Sequence, residues 1–317
     1  MELIRTPGHH TGHDDDERPL AERVPLKRLF KPQVGAKRFL KDLWREINDD
    51  NVSNGAASLA YFLMLSIFPA TIFLLSLLPY LPIPHLQEAI MDLLREAMPA
   101  QAATMFTDTV NSVVSERRTG LLSFGALATL WAASSGMHAV IDNLNVTYDV
   151  KETRSYFKVR GIALLMLLLF GVLIVGSLGL VVFGGVLQAK LGEILGMSSV
   201  LLGFFAALRW LIILGMLMLG FALTYYFGPN VEQSFRFITP GTVFGTVVVA
   251  AVALGFRFYV SNFGSYEATY GSIGAVIIML FWLYLTGLVL LLGSEVNALV
   301  EHYAEEGKNK GETTLPR

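Results

Sequence analysis

The sequence predicts an all-α, polytopic membrane protein with six transmembrane helices, and three observations carry that prediction. Hydrophobic residues make up 53% of the 317 positions and charged residues only 16%, against roughly 25% charged in an ordinary soluble domain. Six stretches reach the about 20 mostly apolar residues that a helix needs to cross a hydrocarbon core about 30 Å thick. Lysine and arginine are also abundant in alternate connections between those stretches, as retention of basic residues on the cytoplasmic side requires.

Residues 1–35 form a basic, His-rich leader. It lacks the continuous apolar core of a cleavable signal peptide, so the first apolar helix is expected to direct insertion itself. Up to Arg18 the segment is polar and reads as disordered. His9, His10 and His13 beside Asp14, Asp15 and Asp16 are residue types that ligate metals, but a short tail of this composition is ordinarily solvated, and no metal site is predicted. Residues 36–50 form an amphipathic surface helix. Leu40, Leu43, Trp44 and Ile47 share one face and Lys37, Arg38, Lys41 and Arg45 the other, the pattern of a helix lying on an anionic inner leaflet.

Residues 51–300 form the transmembrane domain, with spans at approximately Ala56–Leu78, Leu121–Ile141, Ile162–Leu187, Gly203–Phe227, Pro240–Val260 and Gly271–Val300. Between the first two, residues 85–118 repeat apolar positions (Leu86, Ile90, Leu93, Leu94, then Phe106, Val110, Val113, Val114) around a break at Pro99, which predicts an outer helical hairpin. Before the first span lie Arg18, Arg23, Lys27, Arg28, Lys31, Lys37, Arg38, Lys41 and Arg45. Lys151, Arg154, Lys158 and Arg160 follow the second span. The connections expected to lie outside hold few: Arg95, Arg117 and Arg118 against five acids, then Lys190, then none in 261–270. Both termini, including the tail 301–317, are therefore expected in the cytoplasm. A net charge of −2 gives no overall basic character for nucleic acid, and the absence of cysteine excludes disulfides, thiolate nucleophiles and cysteine-ligated metals.

Ionisable residues at membrane depth usually face the bundle interior or water. On the second span Trp131, Ser134, Ser135, His138, Asp142 and Asn145 fall within one stripe about 100° wide. The first span does the same with Asn54, Ser58 and Tyr61, and on the sixth Tyr284, Gly287 and Glu295 align while Asn297 points the opposite way. Asn54, Ser58, Asp142, Asn145 and Glu295 share a depth near the cytoplasmic interface and are candidates to line one polar vestibule. His138, a turn deeper, is of a type that titrates near neutral pH and suits a proton-coupled step. The competing reading is that these groups only hydrogen-bond helices together.

Arg209 and Arg257 lie towards the outer ends of the fourth and fifth spans, near Asn262, Tyr266 and Tyr270. Guanidinium clamps phosphate bidentately, which makes this a candidate outer site for an anionic headgroup; snorkelling to the interface or pairing with Glu267 is the alternative. Gly241 and Gly245 form a GxxxG, and Gly171, Gly176, Gly179, Gly184 and Gly185 stud the third span, all read as close helix packing.

Several passages carry a resemblance: Ala56-Ala57-Ser58-Leu59-Ala60-Tyr61-Phe62 with Leu65-Ser66-Ile67-Phe68-Pro69; Leu130-Trp131-Ala132-Ala133-Ser134-Ser135-Gly136 leading to Leu144-Asn145 and Tyr148; and Tyr226 with Pro229-Asn230. The most specific is Tyr259 with Ser261-Asn262-Phe263, Ser265-Tyr266 and Tyr270-Gly271-Ser272-Ile273-Gly274-Ala275, continuing through Trp282-Leu283-Tyr284 to Leu292-Gly293-Ser294-Glu295-Val296-Asn297. In order and wording they resemble the YihY/BrkB family of bacterial inner-membrane proteins, some of whose members have carried the label ribonuclease BN. The resemblance implies a multi-pass protein of the bacterial cytoplasmic membrane, with envelope or lipid export suggested for relatives. It offers no catalytic residues to carry over.

Three function classes follow. A transporter or lipid flippase, with membrane lipids or an anionic amphiphile as substrate, accounts for the polar stripes, outer arginines and glycine-rich helices together. A membrane scaffold or partner subunit would use the outer hairpin and surface helix, and a homo-oligomer is compatible with either. A ribonuclease is disfavoured, because no soluble segment is large enough for a basic, aromatic RNA groove or a cluster of metal-binding carboxylates. No phosphate loop, dinucleotide fingerprint, GxSxG elbow or HExxH is present, so no nucleotide or other cofactor and no enzymatic activity is predicted.

Overall fold

A computed structural model of the protein describes residues 35–77, 119–195, 198–233, 235–262 and 272–304. Among these residues are seven helices and no strand: α1 (Ala36–Asp49), α2 (Val52–Leu77), α3 (Thr119–Thr147), α4 (Tyr156–Leu195), α5 (Ser199–Phe227), α6 (Pro240–Asn262) and α7 (Ser272–Ala304). They coincide with the surface helix and the six apolar stretches. The leader up to residue 34, the hairpin 85–118 and the tail beyond 304 lie outside the described residues.

The largest difference from the sequence reading is in α4. It starts at Tyr156 instead of Ile162 and ends at Leu195 instead of Leu187. Apolar composition marks only what must sit in lipid, whereas the backbone ladder continues into polar residues at both ends. At about 1.5 Å per residue its 40 residues extend ~60 Å, twice the hydrocarbon thickness. Among the described residues four helices are long and apolar enough to cross a membrane, over Tyr156–Gly185, Val200–Phe227, Pro240–Val260 and Gly274–Tyr303, and α2 carries a shorter apolar run at Val52–Ile67.

Each long helix packs on its neighbour in sequence, and α7 closes back onto α2, so the six form a ring, with α7 also touching α3 across it. The core of that ring is Leu59 of α2, Ile141 and Leu144 of α3, Met166 of α4, Phe221 and Tyr225 of α5, Val249 of α6 and Leu291 of α7. Outside it, Val172, Phe204, Leu211, Leu254 and Phe258 are exposed on α4, α5 and α6. Monomeric soluble proteins do not leave so continuous an apolar surface in water, and lipid is the solvent that fits it.

Close approach is built into the ring where small residues meet. Gly55 of α2 lies against Asn143 and Leu291, where a Cβ would come within 2.5 Å of the Asn143 amide oxygen and 2.9 Å of Leu291 Cδ1. Gly241 of α6 faces the Gly293 carbonyl and Asn297 of α7, while Gly245 faces Phe221 of α5, so the GxxxG serves two different neighbours. The α4 glycines differ among themselves: Gly176 meets Met216 of α5, whereas nothing lies within 4 Å of Gly179.

Helix α1 corrects one sequence expectation. Its apolar face is divided, with Phe39 and Leu43 packed on Val296 and Val300 of α7 and Ile47 on the main core. Leu40 and Trp44 are 62% and 70% exposed. One edge of the helix is therefore seated on protein and the adjacent edge is left apolar and open, because Phe39 widens the stripe beyond the four residues that alternate against the charges. Tyr303 of α7 donates to the Asp42 carboxylate, which also takes Arg45 Nη2 at 3.2 Å, tying the polar side down.

Candidate functional site

Among the described residues, three clusters of buried polar groups lie at the ends of the helices that adjoin α1. The first joins α3 to α4. Arg160 is 5% exposed; its guanidinium stacks on Trp131 at 4.4 Å from the ring centroid, donates to the Trp131 carbonyl and reaches Ser135 Oγ at 3.1 Å. Stacking and carbonyl contacts suit a guanidinium buried where water is scarce. One turn on, His138 Nε2 stands 3.9 Å from an Asp142 carboxylate oxygen, and the His138 ring meets Tyr156 edge-on at 6.4 Å. Arg160 Nε and His138 Nδ1 are buried without a hydrogen-bond partner.

The second cluster is a clamp between the end of α3 and the connections that follow α3 and α5. Asn145 at the end of α3 donates to Glu152 at 2.9 Å and accepts from the Asn230 backbone N–H at 2.8 Å. Asn230 in turn donates to the Lys151 carbonyl and Thr153 Oγ1, and Arg154 donates to the Phe227 and Gly228 carbonyls at the end of α5. Burial acts to raise the Glu152 pKa, but hydrogen bonds from Arg154 and Asn145 outweigh it and hold the carboxyl below the ordinary range.

The third cluster lies where α1, α2, α3 and α7 meet. Glu295 of α7 is 2% exposed and lies near Asp50, in the corner between α1 and α2. Ser294 Oγ donates to Thr147 Oγ1 at 2.8 Å, and Asn297 Oδ1 accepts from the Gly241 N–H at 2.7 Å. The Tyr148 hydroxyl is buried beside Asn297 without a well-formed hydrogen bond, and Glu295 Oε1 has no partner. Asp50 titrates at about 6, raised chiefly by burial and further by Asp149, Glu46 and Asp49, with Glu295 opposing.

The sign of that shift gives a prediction. A carboxyl raised from 3.8 to about 6 on folding contributes most favourably below about pH 4, and the contribution is lost as pH rises through about 6. Asp50→Asn is therefore expected to melt a few degrees above the unmodified protein at about pH 8 and together with it at about pH 4. Thermal unfolding of the purified protein in detergent checks this; an Asp50→Asn variant less stable than the unmodified protein at the higher pH contradicts it.

The predicted vestibule residues do not meet in one place. Ser134 is buried and satisfies the Trp131 carbonyl of its own helix at 2.8 Å, Asn145 is in the clamp and Glu295 is inside the ring. Trp131, Ser135 and His138 face α4, and Asp142 is exposed beside His138. On α2, Asn54 and Tyr61 are exposed and Ser58 half-buried, while Tyr284 of α7 exchanges a 3.0 Å hydrogen bond with Ser53. Asn297 is buried on the α6 side. At the other end Arg209 lies against Gly184 and Gly185 with Nε and Nη1 buried and unpartnered, Arg257 is exposed and Asn262 ends α6; Tyr266 and Tyr270 lie outside the described residues.

Several residues of these clusters, Asp50, Tyr148, Glu152, Arg160 and Asn230 among them, had no place in the predicted site. Asp50 and Tyr148 sit in short connections, where nothing local marks burial. Arg160 registered only as a topology-setting charge, and Asn230 only in the Pro229-Asn230 pair that carries part of the resemblance; the spacing of Trp131 and Ser135, one turn apart facing the next basic helix start, is the signal that points to Arg160.

Comparison with known proteins fits this architecture. The family described as Virulence factor BrkB matches residues 43–315. The ribonuclease-like protein YfkH of Bacillus subtilis is similar, at 39% identity over 83% of this chain and 94% of its own length. So are the UPF0761 membrane proteins of Vibrio campbellii, 30% identical over 88% of each chain, and of Pseudoalteromonas translucida, 29% identical over 86% of this chain and 90% of the relative. No solved structure matches. The apolar exterior, the ring of long helices and a family match running from α1 past the end of α7 together show that the chain is an integral membrane protein belonging to the BrkB family.

Proposed function

We propose that this protein moves an amphiphile, a phospholipid or glycolipid of the cell envelope, between the leaflets of the bacterial cytoplasmic membrane, with both of its own termini on the cytoplasmic side. One observation carries the reading. Along α2 and α3, Asn54, Tyr61, Trp131 and Asp142 are all exposed, beside exposed apolar residues such as Phe62, Leu65 and Val146, with the Arg160 guanidinium directly behind Trp131. Polar groups on a lipid-exposed face lower the barrier for a headgroup to travel along that face, because they replace part of the water that the headgroup sheds. An arginine stacked behind an aromatic supplies a positive charge for an anionic headgroup.

The test is reconstitution in vesicles with a labelled phospholipid or glycolipid. Transfer between leaflets is expected to be faster than in empty vesicles and to slow several-fold in the Trp131→Ala, Asp142→Ala double variant. No acceleration for any envelope lipid tried would sink the proposal. A scaffold reading draws on α1, whose exposed Leu40 and Trp44 can seat a partner. It predicts that growth or envelope integrity survives alanine at Asp142 but not replacement of Leu40 and Trp44.

A further inference from the structure

Two groups of opposite charge stand where α3 meets α4, and neither is paired with a permanent charge of the other sign. Arg160 is buried, and among the described residues no carboxylate lies within ion-pair distance of its guanidinium. Its Nη2 is taken by the Trp131 carbonyl and Ser135 Oγ, and its Nε is enclosed without a partner. That leaves Nη1 as the donor for a further acceptor. Asp142, two turns along α3 from Ser135, is exposed. Its neighbour His138 stands 3.9 Å away, beyond the reach of a hydrogen bond, and an imidazole carries no permanent charge.

Seven residues separate Ser135 from Asp142, a rise of about 10 Å along α3. With about 3 Å taken by a contact to each charged group, about 4–5 Å is left between an anion at one end and a cation at the other. Four bonds of about 1.5 Å, bent at each atom, fill that interval. A phosphodiester joined to an ammonium through two carbons has this length. The order along the helix is also that of a lipid in a leaflet. Asp142 lies near the end of α3 at Thr147, whereas Trp131 and the guanidinium stacked on it lie further in. In a membrane lipid the phosphate is likewise nearer the chains and the ammonium nearer water.

We infer that this face of α3 and α4 takes a zwitterionic lipid headgroup, with its phosphodiester at Arg160 and a primary ammonium at Asp142. The inference rests on the lipid reading proposed above and narrows it to one headgroup class. The Trp131 ring lies over the guanidinium and is itself exposed, so the phosphate enters at the edge of that ring. Tyr156, also exposed, meets Trp131 at 6.1 Å and His138 at 6.4 Å, which sets an aromatic surface along the interval between the two charges. A quaternary ammonium fits less well, because it is held by a cage of aromatic faces, whereas Asp142 offers a hydrogen-bond acceptor. A purely anionic headgroup satisfies Arg160 but sets its remaining oxygens against the Asp142 carboxylate, where like charges repel.

The test compares phosphatidylethanolamine with its N-acetyl derivative, phosphatidylglycerol and phosphatidylcholine, all with identical chains, bound to the purified protein in detergent and counted by native mass spectrometry. Phosphatidylethanolamine is expected to bind roughly fivefold more tightly than the N-acetyl derivative or phosphatidylglycerol, which keep the phosphate but lack the ammonium. Asp142→Asn is expected to remove that difference, and Asp142→Lys, at the same exposed position, to turn the preference towards phosphatidylglycerol. Equal binding of phosphatidylethanolamine and its N-acetyl derivative, a preference that Asp142→Asn leaves intact, or phosphatidylcholine bound as tightly as phosphatidylethanolamine overturns the inference. Transfer between leaflets is scored separately in vesicles. Selective binding without transfer sinks the proposal of lipid movement and leaves the headgroup assignment standing; transfer of all four lipids with no binding preference does the reverse.

Discussion

Gly241→Val is expected to prevent the protein from folding into a stable ring. A Cβ at this position would collide with the Gly293 carbonyl oxygen and come within 2.6 Å of Asn297 Cγ and 2.7 Å of its Oδ1. Neither obstacle can yield. The carbonyl belongs to the α7 backbone, and the Asn297 amide oxygen is pinned by the Gly241 N–H at 2.7 Å. Gly293 is itself pressed by the Tyr225 hydroxyl, which donates to the Leu290 carbonyl at 2.9 Å, so α7 has no room to retreat towards α5. Separating α6 from α7 forfeits that hydrogen bond and the packing on both flanks, and overpacking combined with a buried amide left unsatisfied costs about 4 kcal/mol or more. Gly255→Val on the same helix, with nothing within 4 Å, is the matched control. Yield of monodisperse protein in detergent and its melting temperature separate the two; a Gly241→Val variant that purifies and melts like the control would show that α6 and α7 are not in this contact.

The six apolar stretches were legible because lipid imposes a length and a composition that hardly any soluble helix shares. The surface helix was legible from the alternation of Lys37, Arg38, Lys41 and Arg45 with Leu40, Leu43, Trp44 and Ile47, yet that alternation did not show that Phe39 and Leu43 are seated on α7 while Trp44 remains open. The His138 and Asp142 pairing follows from four-residue helical spacing and is present at 3.9 Å. What single-helix geometry cannot supply is the azimuth of one helix against another. Ser134 and Ser135 are adjacent on the predicted stripe, but one turns into its own backbone and the other meets Arg160. The approach of Asp50 to Glu295 joins residues far apart in the chain, one of them in a connection that periodicity does not reach, and only the closure of α7 onto α2 brings them together.

The clamp around Asn145 joins the end of α3 to two connections through one side chain, and Asn145→Leu is expected to be the most damaging single change among the clamp residues. Leucine conserves the volume but removes both hydrogen bonds, the 2.9 Å donation to Glu152 and the 2.8 Å acceptance from the Asn230 backbone. The Asn230 N–H then loses its acceptor, and Glu152 keeps only Arg154. Each buried polar group left unsatisfied costs about 1–3 kcal/mol, so a loss of roughly 2–4 kcal/mol is expected. Because Arg154 links Glu152 to the Phe227 and Gly228 carbonyls, the loosened end should be that of α5, visible as faster hydrogen exchange over residues 224–230. Glu152→Ala removes a different member of the same network. The Asn145→Leu, Glu152→Ala double variant should therefore be destabilised by clearly less than the two single effects added together. Strict additivity would mean that Asn145 and Glu152 act independently and that the clamp is not a unit.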